Sequence, residues 1–321
     1  MKSQKVIQGI HHVTAIAGSA VENVAFYENV LGLRLVKQTV NFDDPFTYHL
    51  YYGDQEGNPG TILTFFPWQG MPQGKNGKGM VTAISFEIPI GSSEYWRERM
   101  LRHNIETTSE QRFGEEVIGF LDPHGLGLEL IATGEASAPS HQISSSLAPA
   151  YPVKGFHSAT STLKSINSTK DLLVDYLGME LLVQDGKRYR FKMKNDTSCG
   201  LFYDLLVEPE AENGRQGSGS VHHIAFRTSD DKEQLLWQHE LLEGGYPVTG
   251  VRDRKYFKSI YFHEPGGVLF EIATDLPGFA VDEPMEYLGQ ALQLPENYEP
   301  MRFEIVKKLP PLHSDMKQGM S

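Results

Sequence analysis

Asp122-Pro-His-Gly-Leu-Gly-Leu-Glu-Leu-Ile-Ala-Thr133 and His263-Glu-Pro-Gly-Gly-Val-Leu-Phe-Glu-Ile-Ala-Thr274 are two versions of one stretch. Each leaves a Pro/Gly turn, enters a short apolar strand carrying a single Glu, and closes on Ile-Ala-Thr. Glu129 and Glu271 occupy equivalent places. A repeat of this kind sets the architecture before any single motif does, because each copy is a unit that must bury its apolar face against its neighbours.

Outward from these stretches a second element recurs, a short strand followed by an amphipathic helix. It is read at residues 10–16 then 20–31, 81–88 then 93–103, 156–162 then 169–177, and 221–228 then 231–242. In each helix the apolar residues return at spacings of three and four, as in Leu172, Leu173, Tyr176 and Leu177, which turns one face toward a sheet. Ser19, Ser92 or Ser93, Ser168, and Ser229 or Asp230 are the expected N-caps. Gly32 and Gly178 directly follow two of the helices, as C-terminal stops do. Strand-like runs then follow, among them residues 48–52, 61–66, 188–193, 200–203 and 259–262, separated by turn chemistry. The expected fold class is α+β, built from four βαβββ modules. Modules one and two take residues 6–135, a Ser/Ala/Pro-rich linker takes 136–152, modules three and four take 153–276, and 277–321 form a C-terminal extension outside the repeat.

A chain of 321 residues exceeds the size at which one hydrophobic core usually stops growing, which favours two domains. Its 40% hydrophobic and 22% charged residues are those of an ordinary soluble enzyme. A formal net charge of −12 argues against nucleic acid or an anionic membrane as partner, since both select for clustered Lys and Arg. Residues 1–10 lack the apolar core of a secretory signal, and no segment approaches the roughly 20 apolar residues that span a bilayer; the expected location is cytoplasmic. Cys199 is the single cysteine, so an intramolecular disulfide or a thiolate cage is excluded and any metal must use His and carboxylates. Cys199 itself reads as a small packing residue.

The chemistry lies at the repeat positions. Where module one has His11-His12, module two has Thr82-Ala83, module three His157-Ser158 and module four His222-His223. Successive strand residues face opposite sides, so one His of each pair points into a shared cavity, and the pattern alone does not say which. Glu271 sits between Phe270 and Ile272, where an unpartnered carboxylate would cost several kcal/mol; it needs a cation. Two imidazoles and one carboxylate form the set that leaves open positions on ferrous iron. Module one, counted from Gly60 as module four is from Gly267, offers Thr64 in place of Glu. Glu129 and His157 read as the remnant of a second site, because Ala83 and Ser158 replace the histidines. His124, His141, His263 and His313 sit in turns or tails and read as solvated. The run Gly74–Gly79 resembles a phosphate loop only loosely, lacking its Lys-Ser/Thr ending and following helix.

The four modules, the openings Gly9-Ile-His-His-Val-Thr14 and Val221-His-His-Ile-Ala-Phe226, and the closing Phe270-Glu-Ile-Ala-Thr274 resemble the vicinal-oxygen-chelate superfamily, and within it the hydroquinone-cleaving extradiol dioxygenases. The resemblance covers about residues 6 to 300. It implies two open, mixed β-barrel domains, the vicinal-oxygen-chelate fold, with iron held by His12, His223 and Glu271. It also implies a pocket that includes His11, His222, Thr14, Arg254 and Tyr261; Arg252 and Lys255 lie close to Arg254, and only pocket-facing geometry separates them. Ligands from modules one and four would make those two share a barrel. The implied activity is ring cleavage of a hydroquinone-type substrate with Fe(II) and O2; Mn(II) suits the same ligands. The partners implied are thus a small aromatic compound and O2, and a homo-oligomer is compatible with the sequence. Two rivals use the same scaffold, a glyoxalase-like metal-dependent lyase or isomerase and a non-catalytic protein that binds an aromatic compound. The first typically uses two carboxylates, against which Thr64 speaks. The second has no need of the His/His/Glu set.

Overall fold

The computed structural model describes residues 6–133, 151–194 and 199–313. Most of the expected linker, residues 136–150, and the tail from residue 314 therefore lie outside the described residues.

Each module contributes four strands. Module one has β1 (Ile10–Ala17), β2 (Arg34–Asn41), β3 (Asp44–Gly53) and β4 (Ile62–Pro67); module two has β5 (Met80–Pro89), β6 (Thr108–Arg112), β7 (Glu115–Leu121) and β8 (Gly127–Thr133). Module three has β9 (Gly155–Leu163), β10 (Glu180–Asp185), β11 (Arg188–Lys192) and β12 (Phe202–Val207); module four has β13 (Ser220–Thr228), β14 (Arg252–Asp253), β15 (Lys258–His263) and β16 (Leu269–Thr274). Within every module the first strand pairs in parallel with the fourth, while the other pairings are antiparallel. Two eight-stranded mixed sheets result, in the orders β14-β15-β16-β13-β1-β4-β3-β2 and β10-β11-β12-β9-β5-β8-β7-β6. Antiparallel pairing of β1 with β13 joins modules one and four, and that of β5 with β9 joins modules two and three. β1 and β9 are buried along their whole length, as central strands covered on both faces must be.

The helices lie where the periodicity places them, with local differences. Ser19 caps Ala20–Ala25 by accepting from Glu22 N, and Asp230 caps Asp231–Glu243 by accepting from Lys232 N and Glu233 N. In modules one and three the helix widens into a π-turn, Phe26–Val30 and Leu172–Tyr176, before Gly32 and Gly178 end it at φ 71° and 70°. The third helix begins at Asn167, one turn's fraction ahead of the expected Ser168 cap. Trp96 and Trp237, from the helices of modules two and four, are among the largest fully buried side chains; each carries the apolar helix face into its barrel. Among the described residues no helix is long and apolar enough to cross a membrane.

One motif gains an explanation and one expectation, a solvated His124, changes. The glycine run 74–79 is a crossing point: Lys75 and Arg215 exchange backbone hydrogen bonds of 2.8 Å, and a Cβ on Gly77 would stand 2.4 Å from Glu212 O. Close approach of two connecting loops accounts for its glycines. His124 is buried and accepts from Ser19 N at 3.0 Å. Its turn docks onto module one, a tertiary contact that loop chemistry does not announce.

The second sheet shows what replaces the histidines. Its rungs place Ala83, Thr160 and Asp204 in one row and Ser158, Ser85 and Glu129 in another. Glu129 accepts a two-pronged contact from Arg112, at 2.7 Å on each oxygen, and a 2.6 Å bond from Ser85. Asp204, which the sequence reading passed over, is held likewise by Arg190 at 2.9 and 3.1 Å. His157 turns to Glu115 at 3.2 Å and to Ser158 at 3.1 Å, and does not join Glu129. Guanidinium groups thus supply the counter-charge on this side. Burial opposes ionisation of Glu115, yet hydrogen bonds from His157 and Arg190 outweigh it and hold its carboxyl down to about 2. An unfolded Glu titrates near roughly 4.3, so this contribution is complete above that pH and lost as pH falls through about 2. Urea midpoints measured across this window fall with acidification, and Glu115→Gln flattens the fall; an unchanged slope would contradict the assignment.

Candidate metal centre

The first sheet brings three donors to one place through its register. β1 lies against β13 with His12 opposite Ala225 and Thr14 opposite His223. β16 lies on the other side of β13 with Glu271 opposite Ala225. His12, Ala225 and Glu271 therefore form one rung, and the small Ala225 side chain leaves the space above it to its neighbours.

Across that space His12 Nε2 and His223 Nε2 are 3.4 Å apart, and Glu271 Oε2 lies 2.8 Å from His223 Nε2 and 3.4 Å from His12 Nε2. Donors held at about 2.1 Å from one ion at right angles stand about 3 Å apart, which is the triangle seen. All three residues are buried. Among the described residues they are the one group of three or more His, Cys, Asp or Glu side chains whose donor atoms converge within 4.8 Å. Glu271 Oε2 has imidazoles beside it but accepts no directed hydrogen bond, whereas Oε1 accepts from Ser259 Oγ. A buried carboxylate oxygen left free beside two ring nitrogens fits a divalent cation.

The flanking groups prepare the donors. His11 Nδ1 lies 2.9 Å from His12 Nδ1, and His222 Nδ1 lies 2.7 Å from His223 Nδ1. Engaging Nδ1 leaves each Nε2 facing the site, the usual way an outer contact fixes a ligand's tautomer. Burial, reinforced by His12, pushes the His11 imidazole well below its ordinary value. Burial and then His223 push His222 down to about 3. Burial alone would raise the Glu271 carboxyl, but the adjacent His12 and His223 hold it well below the usual carboxylate range.

A cavity of about 240 Å³ opens on these donors, with His12, His223 and His222 in its wall. Arg254 and Tyr261 line it too, joined by a 3.4 Å contact from Arg254 Nε to Tyr261 Oη. Arg252 is exposed, and Lys255 turns away to Asp282 and Leu294 O; Arg254 is the basic residue of the three in the wall. His11 and Thr14 are not in the wall. His11 sits at the ladder irregularity beside His12, the two rings sharing contact with Phe257, and Thr14 Oγ1 is spent on Thr64 Oγ1 at 2.8 Å. Thr64 fills the position that would offer a second carboxylate. Sequence reading missed His49, Tyr51, Phe66, Trp68 and Phe257, all of which line the cavity. Alternation in the run 48–52 puts His49 and Tyr51 on one face, but only the pairing of Tyr51 with Thr64 turns that face inward.

The glyoxalase/bleomycin resistance protein/dioxygenase superfamily model matches residues 9–130 and 155–272. MhqO of Bacillus subtilis (strain 168), provisionally named a ring-cleaving dioxygenase, is 48% identical over 96% of this chain and 97% of its own. The chlorohydroquinone/hydroquinone 1,2-dioxygenase of Sphingobium indicum is 32% identical over 96% of this chain and 98% of its own. A crystal structure from B. subtilis subsp. subtilis str. 168, titled as a provisional dioxygenase, superposes with TM-score 0.92 at 47% identity, covering 96% and 98% of the two chains. Dioxygenase relatives of full length support an enzyme on this scaffold. With its repeated modules, its two mixed half-barrels and a convergent His/His/Glu set, the chain belongs to the glyoxalase/bleomycin resistance protein/dioxygenase superfamily.

Proposed function

We propose that this protein is a ring-cleaving, extradiol-type dioxygenase that opens hydroquinone-type aromatic rings with dioxygen, using ferrous iron held by His12, His223 and Glu271. The observation that carries the reading is the joint placement of that donor set and a small aromatic-walled cavity containing one cation, Arg254. When bound, the ferrous ion supplies the electron-transfer chemistry that lets dioxygen react with an aromatic ring, with manganese suited to the same donors.

The chain's own residues do the rest. Phe66, Trp68 and Phe257 give flat apolar walls that admit a single ring and exclude water from it. Arg254 is permanently charged, mostly covered and held by Asp43 at 3.4 Å, and it faces a ring oxygen as that oxygen becomes anionic. Burial, followed by the nearby Glu271, pushes the Tyr261 hydroxyl above its ordinary range; it stays protonated and donates to the same oxygen. His222, kept neutral with its Nδ1 engaged by His223 Nδ1, turns Nε2–H toward the cavity and donates to the substrate oxygen. His11 supports the site through His12.

The test is oxygen uptake by the iron-loaded protein across a panel of hydroquinones and catechols. Hydroquinones are expected to be consumed, and a protein that retains iron yet takes up no oxygen with any of them would overturn the reading. Arg254→Gln is expected to lower kcat/KM by about 10²–10³, the scale of losing one donor to a developing oxyanion. A loss confined to KM for oxygen would contradict the role given to Arg254.

A further inference from the structure

The register relates the two walls of the cavity by an internal two-fold. One rung runs His12, Ala225, Glu271, Tyr261, and the other runs His223, Thr14, Thr64, Tyr51. Tyr51 thus stands where Tyr261 stands in the other module. His49, two residues before Tyr51, stands where Ser259 does. Both tyrosines line the cavity.

The two walls have diverged in what backs the tyrosine. In module four Ser259 Oγ donates to Glu271 Oε1, and Tyr261 lies beside Arg254. In module one the carboxylate is replaced by Thr64, and His49 has taken over the serine's place. His49 Nε2 is 2.8 Å from Thr64 Oγ1, and Thr64 Oγ1 is 2.8 Å from Thr14 Oγ1. His49 Nδ1 is 2.8 Å from Tyr51 Oη. Thr14, Thr64, His49 and Tyr51 form one line of neutral groups with a fully buried end and a cavity end.

A hydroxyl offers one donor and two acceptor sites. Among the described residues His49 is the hydrogen-bond partner of Tyr51 Oη, so the remaining capacity of that oxygen belongs to whatever fills the cavity. We propose that Tyr51, positioned by His49 and Thr64, hydrogen-bonds the second hydroxyl of the ring, the one remote from the metal, and so makes the site prefer dihydroxylated over monohydroxylated rings. This rests on the hydroquinone reading above. The division of charge supports it. Arg254 suits an oxygen that becomes anionic, whereas the Tyr51 line contains no charged member, and burial pushes the Tyr51 hydroxyl well above the ordinary phenol range. A neutral donor-acceptor pair matches a hydroxyl that keeps its proton. A site built to bond a hydroxyl rejects the analogue without it, because its own polar atom is then left unpaired.

The test compares hydroquinone with phenol. Titration calorimetry under argon on the iron-loaded protein gives the ratio of their affinities for wild type, Tyr51→Phe, His49→Gln and His49→Leu, with folding checked by thermal melting. Wild type is expected to prefer hydroquinone. Tyr51→Phe is expected to cut that preference by about tenfold or more while leaving phenol affinity unchanged. His49→Leu is expected to lose part of it, and His49→Gln, whose amide still bridges Thr64 and Tyr51, to lose less. An unchanged ratio in folded Tyr51→Phe overturns the proposal, as does an equal loss of affinity for phenol and hydroquinone. If Tyr51→Phe does not fold, an unchanged ratio in His49→Leu overturns it equally. Absence of any preference in wild type would instead sink the hydroquinone reading, and this assignment with it.

Discussion

His223→Ala yields a folded protein that keeps no iron after gel filtration and consumes no oxygen with hydroquinones. His223 Nε2 is the donor nearest to Glu271 Oε2, at 2.8 Å, and its loss leaves His12 and an uncompensated buried carboxylate. Groups that merely support a ligand cost roughly 10- to 100-fold in metal affinity when removed, so losing one of three ligands exceeds that. The strand ladder survives the change, because the partners of β13, Thr14 on β1 and the β16 residues beside it, are untouched, while the buried Glu271 carboxylate lowers the stability. Elemental analysis with circular dichroism separates the two effects. Full iron content in the variant would show that the donors lie elsewhere.

Lys37→Met destabilises the protein by about 3–5 kcal/mol, the cost of breaking a buried ion pair from one side. Lys37 is fully buried on β2, and its Nζ contacts Asp282 Oδ1 at 2.6 Å and Glu283 Oε2. Asp282 also takes Lys255 Nζ at 2.7 Å and Tyr256 Oη at 3.0 Å. This network ties the C-terminal extension across barrel one, and Phe279 of that extension stacks on Tyr256 and meets Tyr51 at 5.1 Å between ring centroids. Loosening it therefore reaches the back of the substrate cavity. Urea unfolding measures the stability change, and a loss below about 1 kcal/mol would mean the pair contributes no more than an exposed one.

What was legible in the sequence follows from what repeats. The His-His openings and the Glu inside an apolar strand stand out because they recur at fixed places, and a carboxylate between Phe270 and Ile272 has few physical explanations other than a cation. Arg254 could be named but not separated from Arg252 and Lys255 without the backbone turn at Lys255, φ 68°. The burial of Lys37 has no signal in the sequence, since its partners lie some 245 positions away in a segment with no repeat. Asp204 and the arginines around it were hidden for the same reason: an arginine-paired carboxylate and a metal-binding one look alike until the strands are paired. His49 and Thr64 become partners only across the β3–β4 ladder, and a lone His beside three tyrosines gives no sign of direction.

The central claim is that both atoms of dioxygen enter an aromatic ring opened beside the His12/His223/Glu271 centre. Mass spectrometry of the product formed from hydroquinone under ¹⁸O-labelled dioxygen, by protein loaded anaerobically with ferrous iron, tests it most directly. A ring-opened acid that has gained both labelled atoms is the predicted result, apart from exchange of any carbonyl oxygen with water. Benzoquinone without label, formed by simple two-electron oxidation, would contradict it.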